Sequence, residues 1–392
     1  MAKRGPSNSQ FRLETRLALA GRDLSRNEGA VNPPLQRATT LLQSDAGELY
    51  GANKKTYGLD GMAVQEALRE ALLAIEGGAG ATLAPSGLSA CTLALLTVAE
   101  AGGEILVTDS VYRPTRKFCD QTLKRLGVET RYFDPRIGAS IGELISERTR
   151  AIFLESPGSL TFEVQDVPAI AAAARARGVA TIIDNTWSAG VYFRPFAHGV
   201  DLSVQALTKY QAGHADAFMG AVLARTPEWQ ARVRAMYAQL GLNASPDDAY
   251  LVLRGMRTLA LRLQHQGEAA QRLACWLEGR SEVAYVLHPA LPSHPDHAIW
   301  VRDFSGASGV FAFVLKPQPP ERVAAMLESL NVFAMGFSWG GYESLIVPCD
   351  PQIVRSIAPC VAEGPLLRIS VGLEHGEDLA EDLAEGFTRL RS

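Results

Sequence analysis

The sequence predicts an α/β protein: a mostly parallel sheet with helices on both faces, plus a smaller C-terminal α+β domain. Three observations carry this. The chain has 392 residues, too many for one ordinary core. Between Met62 and Gly255, short apolar runs alternate with amphipathic stretches, the pattern of strands joined by crossover helices. After Gly255 the alternation gives way to one long helical stretch and scattered strand-like runs. The expected division is an N-terminal arm over residues 1–60, an α/β domain over 61–255 and an α+β domain over 256–392.

The elements follow in chain order. Phe11 to Ala20 has the spacing of a short helix, ended by Gly21. Asn32-Pro33-Pro34 to Leu59 is turn-rich and aperiodic, as expected of an arm lying against another surface, a second subunit included. Val64 to Ile75 forms an amphipathic helix stopped by Gly77-Gly78. Ser89 to Ala101, Arg116 to Leu126 and the alanine-rich Pro168 to Arg177 read as helices. Between them Glu104–Thr108, Glu129–Phe133, Thr149–Leu154, Val179–Ile183 and Leu202–Ala206 read as strands. In the second domain, helices are expected at Leu259–Leu277, Glu321–Leu330 and Asp378–Leu390. Strands are expected there at Ala284–Val286, Gly309–Val314, Asn331–Met335 and Leu366–Val371.

Bulk chemistry narrows the function. A net charge of −4 gives no basic surface for nucleic acid or an anionic membrane. No apolar run is long enough to span a bilayer, and the start, Met1 to Ser7, has no secretion pattern behind it. Five cysteines, Cys91, Cys119, Cys275, Cys349 and Cys360, are scattered without metal-like spacing. They read as reduced thiols of a cytoplasmic enzyme. The seven histidines, including His198, His214 and His375 near the motifs below, form no ligand set, so no metal is expected.

In parallel sheets the ligand sits beyond the carboxyl ends of the strands. Asp109, Glu155, Asp184 and Lys209 all fall at or just after such ends. Asp184 closes the apolar run Ile182-Ile183, and Lys209 follows the next strand in Leu207-Thr208-Lys209-Tyr210. Pyridoxal 5'-phosphate (PLP) chemistry uses this pair. A lysine amine holds the aldehyde as a Schiff base, and a carboxylate pairs with the pyridinium nitrogen.

Further stretches strengthen that reading: Tyr57-Gly58, Pro85-Ser86-Gly87, Tyr112-Arg113-Pro114, Leu154-Glu155-Ser156-Pro157-Gly158-Ser159, Ile183-Asp184-Asn185-Thr186-Trp187, Thr208-Lys209-Tyr210, Ser338-Trp339-Gly340-Gly341-Tyr342-Glu343-Ser344 and Leu367-Arg368-Ile369. In this order they resemble the Cys/Met-metabolism PLP-dependent enzymes, and the β-lyase branch among them, from about Tyr57 to Leu390. The resemblance implies the PLP-dependent transferase-like fold of the aspartate aminotransferase type. It also implies β-elimination from a sulfur amino acid, L-cystathionine first, in methionine biosynthesis. A broader C–S lyase and a γ-acting relative are the alternatives.

The resemblance implies roles for single residues. Lys209 holds the cofactor and then serves as base at Cα. Asp184 pairs with the ring nitrogen, and Tyr112 stacks on the cofactor face and takes a catalytic part by helping transaldimination. Ser86, Gly87 and Leu88 start a helix whose N–H groups would cradle the phosphate, and Thr208 adds a hydroxyl. Arg368, inside an apolar strand, needs a partner that a substrate carboxylate or an internal salt bridge could provide. Ser338 and Trp339 shape that end of the pocket; other branches tend to carry leucine where Trp339 stands. Tyr57 would reach the cofactor phosphate of a neighbouring subunit in a dimer of dimers.

Two departures stand out. After its tyrosine the family usually has Gly-Arg, a second phosphate donor, whereas this chain reads Tyr57-Gly58-Leu59-Asp60. Lys54 or Lys55 is a candidate substitute. A frequent tyrosine before Ser-Trp is Phe337 here. These losses also motivate a contrary reading, a non-catalytic binding or regulatory relative.

Overall fold

The computed structural model describes residues 11–51, 55–357 and 364–391. A large sheet contains β1 (Gly80–Ala84), β2 (Glu104–Thr108), β3 (Glu129–Phe133), β4 (Thr149–Glu155), β5 (Ala180–Asp184), β6 (Leu202–Gln205) and β7 (Gly220–Ala224). Their order is β1-β7-β6-β5-β4-β2-β3, and all pairs are parallel except the two made by β7. Ile105–Val107, Ile152–Leu154 and Ile182–Ile183 are fully buried, because helices cover both faces. A small sheet contains β8 (Val283–Leu287), β9 (Val310–Leu315), β10 (Ala334–Met335), β11 (Leu345–Pro348) and β12 (Leu366–Ser370). Its order is β10-β11-β12-β9-β8, antiparallel apart from β10 with β11. Among the described residues no helix is long and apolar enough to cross a membrane.

Topology places the chemistry. Parallel pairing of β4 with β5 sets Glu155 beside Asp184, both at carboxyl ends. Lys209 follows β6 in a tight loop, with Lys209 N–H bonded to the Ala206 carbonyl at 3.1 Å. Tyr210 ties that loop to the small sheet: its buried hydroxyl accepts Gly309 N–H at 2.8 Å, just ahead of β9. Trp187 adds a second tie, donating to the Val310 carbonyl at 2.9 Å.

Several elements differ from the sequence expectation. The antiparallel pair β1 and β7 reads Gly-Ala-Thr-Leu-Ala and Gly-Ala-Val-Leu-Ala, small residues with weak strand preference. Packing demands them: a Cβ on Gly220 would lie 2.3 Å from the Ser86 carbonyl oxygen. Helices at Pro227–Gln239 and Pro246–Met256 start from Thr226 and Ser245, each a side-chain cap followed by proline at the first helical position. The strand expected at Asn331–Met335 shrinks to Ala334–Met335 because Asp382 takes the N–H groups of Asn331, Val332 and Phe333 at 2.8, 2.9 and 2.9 Å. Backbone donors satisfied by a carboxylate do not join a ladder. The first-domain helix expected from Ser89 begins at Gly87 with Ser86 as its cap. The helix expected from Arg116 begins at Arg113 and widens to π-helical turns over Phe118–Leu123. Of the described cysteines, Cys91, Cys119 and Cys349 are buried and Cys275 is exposed; Cys360 lies outside the described residues.

Behind the strand ends sits a buried carboxyl, Glu76, at the end of the helix Ala63–Glu76. It accepts from Asn185 Nδ2 and Gln205 Nε2, both at 2.9 Å, and from the Ser203 hydroxyl. Burial raises its pKa, while the three donors oppose that shift. Glu76→Ala would strand three buried donors and is expected to cost about 3 kcal/mol. A lower urea midpoint would report it, and Glu76→Gln should lose less because one acceptor survives.

Candidate active site

A cleft of about 410 Å³ opens beyond the carboxyl ends of β4, β5 and β6 and meets β12 on its far side. Ser86, Gly87, Leu88, Tyr112, Asp184, Thr208, Lys209, Ser338, Trp339 and Arg368 all line it. Tyr57 does not. It is exposed and forms an isolated bridge with Thr40 in the arm.

Lys209 Nζ donates to the Ser338 hydroxyl at 2.6 Å and lies 5.1 Å from the Trp339 ring centre. Burial, then the nearby Arg368 charge, lowers its pKa to about 8, with Asp184 pulling the other way. Asp184 is fixed by the residue two positions on: its Oδ1 accepts Thr186 N–H at 3.0 Å and the Thr186 hydroxyl at 2.5 Å. Cys91 Sγ reaches its other oxygen at 3.7 Å. Burial raises the Asp184 pKa, and the Thr186 bonds oppose it.

Ser86 caps the helix Gly87–Val98 by accepting Ser89 N–H at 3.1 Å. The N–H groups of Gly87 and Leu88 precede any intrahelical acceptor, so they remain available to an anion. Gly87 is needed for the approach: a Cβ there would lie 2.5 Å from the Ala206 Cβ at the end of β6. Thr208 lines the cleft, but its hydroxyl both donates to Met219 O at 3.2 Å and accepts Met219 N–H at 3.0 Å.

Arg368 is 8% exposed in the middle of β12. Its Nη2 donates to the Ser338 carbonyl at 2.7 Å, and its Nε has no partner. Among the described residues no carboxylate pairs with it, so the internal salt bridge is not made. Burial lowers its pKa. Ser338, which serves both Lys209 and Arg368, sits at φ +83°, a strained conformation for a residue other than glycine. Gly340 follows at φ +82°, pressed on the Lys209 loop; a Cβ there would meet Tyr210 N at 3.0 Å.

Sequence reasoning left some lining residues without a part. Glu155 was placed at a strand end only, and it accepts Tyr112 N–H at 2.7 Å. Thr186 lies two residues after Asp184, a spacing that often marks a side chain bonding forward to the backbone. Phe218 and Phe337 are 74% and 78% exposed at the cleft. Of the candidate substitutes for the missing arginine, Lys55 is engaged by Glu66 at 2.7 Å and the Gly61 carbonyl at 2.9 Å, while Lys54 lies outside the described residues.

Comparison with known proteins decides the family. The model of the Cys/Met metabolism PLP-dependent enzymes matches residues 14–388. The chain belongs to that family. A Rhizobium johnstonii protein provisionally named a cystathionine beta-lyase is 47% identical over 380 residues, covering 96% of each chain. The cystathionine beta-lyase of Escherichia coli is 41% identical over 391 residues, 97% of this chain and 99% of that one. The crystal structure of a cystathionine gamma synthase from Xanthomonas oryzae, solved with aminoacrylate and cysteine, superposes with a TM-score of 0.90 at 30% identity over 98% of this chain and 99% of that one.

As a member of the family the enzyme is PLP-dependent, and the cleft fits the cofactor. A primary amine, a carboxylate and a helix start that only glycine can bring close all line one cavity of suitable size. Lys209, Asp184 and the N–H groups of Gly87 and Leu88 are the groups that would hold it. Only the unprotonated lysine amine condenses with an aldehyde. PLP uptake by the cofactor-free protein should therefore accelerate with pH through about 8 and level off above it. Arg368→Leu removes a depressing charge and should move that midpoint upward. Stopped-flow absorbance of PLP binding across pH measures both.

Proposed function

We propose that the enzyme catalyses β-elimination from a sulfur amino acid, L-cystathionine foremost, releasing homocysteine, pyruvate and ammonia. One observation carries the reading: a desolvated lysine amine and a buried, unpaired guanidinium share a serine and face the same cleft. That is a base beside a carboxylate receptor, set apart by a single residue. The likeness to proteins named cystathionine beta-lyase supports the choice of reaction and substrate.

Bound PLP supplies an electron sink for the charge left at Cα when its proton departs. The other tasks fall to the chain. Arg368 receives the substrate α-carboxylate through its free N–H groups, which aims the Cα proton at Lys209 Nζ. Lys209, lowered to about 8, is sufficiently unprotonated near neutral pH to take that proton, and can return one to the departing sulfur. The Ser338 hydroxyl holds the amine between these transfers. Asp184, anchored by Thr186, offers a fixed negative charge to the ring nitrogen. Tyr112 would offer a flat face to the cofactor ring.

The reading extends to a cytoplasmic homo-oligomer, a dimer of dimers, working in methionine biosynthesis. The arm supports the assembly. Leu42 and Tyr50 are 95% and 89% exposed, and Tyr57 is exposed without lining its own cleft. Such side chains suit burial against a second copy.

The PLP-loaded enzyme should convert L-cystathionine to free thiol and pyruvate, and Lys209→Ala should abolish both products. 2-Oxobutyrate instead of pyruvate would overturn β chemistry. Pyruvate from cystine or cysteine but not from cystathionine would make it a broader C–S lyase. Arg368→Leu should raise KM roughly 100-fold through loss of a charge-assisted contact. Sedimentation equilibrium should report four chains.

A further inference from the structure

We propose that Glu155 is a positioning residue: its carboxyl fastens the Tyr112 turn over the cleft by accepting a backbone N–H. The inference rests on the reading in which Tyr112 covers the bound cofactor. Glu155 is the last residue of β4, and its Oε2 accepts Tyr112 N–H at 2.7 Å across 43 positions of sequence. The other bonds of the turn lie on its neighbours or run into the helix: Val111 N–H to the Thr108 carbonyl at 3.1 Å, Ser159 N–H to the Ser110 carbonyl at 2.9 Å, and Arg116 N–H to the Tyr112 carbonyl at 3.0 Å. Tyr112 is 44% exposed, and as the residue before the helix Arg113–Lys117 it makes no side-chain cap. The nearest ladder bond belongs to Asp109, whose N–H reaches the Phe133 carbonyl at 2.9 Å. A carboxyl projecting from a rigid strand is therefore the tether that joins the sheet to the Tyr112 amide.

The chemistry of the tether follows from its surroundings. Glu155 stands beside Asp184 in the sheet register. Arg355, a nearby cation, is taken by Thr161 and Glu163, and among the described residues no cation pairs with Glu155. Burial, then repulsion from Asp184, lifts its carboxyl well above the usual range. The bond needs an acceptor oxygen, which the carboxyl offers in either protonation state. Glutamine offers the same acceptor.

The test compares Glu155→Ala, Glu155→Gln, Tyr112→Ala and the double variant Glu155→Ala/Tyr112→Ala in the PLP-loaded enzyme. It measures kcat, KM, bound PLP by absorbance, and melting temperature. Glu155→Ala should lose roughly ten- to hundredfold, chiefly in kcat, the size expected of a misplaced group, with PLP content and melting temperature retained. Glu155→Gln should recover most of that loss. The double variant should be no worse than Tyr112→Ala alone, because coupled residues are not additive. Wild-type kcat in Glu155→Ala overturns the proposal, as does a Glu155→Gln variant as poor as the alanine, or losses that multiply in the double variant. Tyr112→Ala with wild-type activity would instead sink the role given to Tyr112, and the tether with it. Loss of PLP or of thermal stability in proportion to kcat would reduce Glu155 to a structural residue.

Discussion

Two cations face one cleft, and most of the architecture around the site serves to keep them there. Lys209 and Arg368 repel one another, and both lose hydration; the amine responds by falling to about 8. Asp184 alone draws it back. The arginine cannot discharge in this way, so it must be held by geometry. It sits in β12, paired on one side to β11 and on the other to β9, with Arg368 opposite Val347 and Ala312. Ser338 adopts a strained backbone and in return touches both cations, by its hydroxyl and by its carbonyl. Strain at a residue that serves two functional groups is where such strain is expected to persist.

A second layer keeps the strand ends in place. Glu76 gathers Asn185, Ser203 and Gln205, and Gln205 in turn accepts Gln211 at 3.1 Å, two residues beyond Lys209. Asp184 and the lysine loop are thus both next-door neighbours of one buried polar network. In a low-dielectric interior, such a network fixes a single arrangement as long as its donors and acceptors are satisfied.

How much of this was legible in sequence depended on how local its cause was. Asp184 and Lys209 were readable because an apolar run ending in a charge marks a strand end, and a parallel sheet makes those ends a site. Arg368 was readable because a guanidinium inside an apolar strand demands a partner. Strands β1 and β7 were not, since their small residues answer to the tight approach of Gln230 and Ser86 rather than to any period. The segment Asn331–Phe333 looked like a strand until a carboxylate fifty positions away claimed its amides. The helix starts at Thr226 and Ser245 do carry local signs, a side-chain cap followed by proline. Glu155 had the right position in sequence, but its partner was visible only in three dimensions.

The hydroxyl of Tyr210 ties the residue after the lysine to Gly309, whose carbonyl accepts Val371 N–H at 2.8 Å just past the end of β12. Lys209 and Arg368 are therefore mounted on one frame, and their separation is a fixed ruler. A carboxylate and a Cα proton are common to every α-amino acid, so the ruler selects a class and not a member. Choice among members must be made further out, by the half-open rim of Tyr112, Phe218 and Phe337, where side chains of different length meet different walls. A change of substrate in this scaffold would then require new rim residues and leave the ruler untouched.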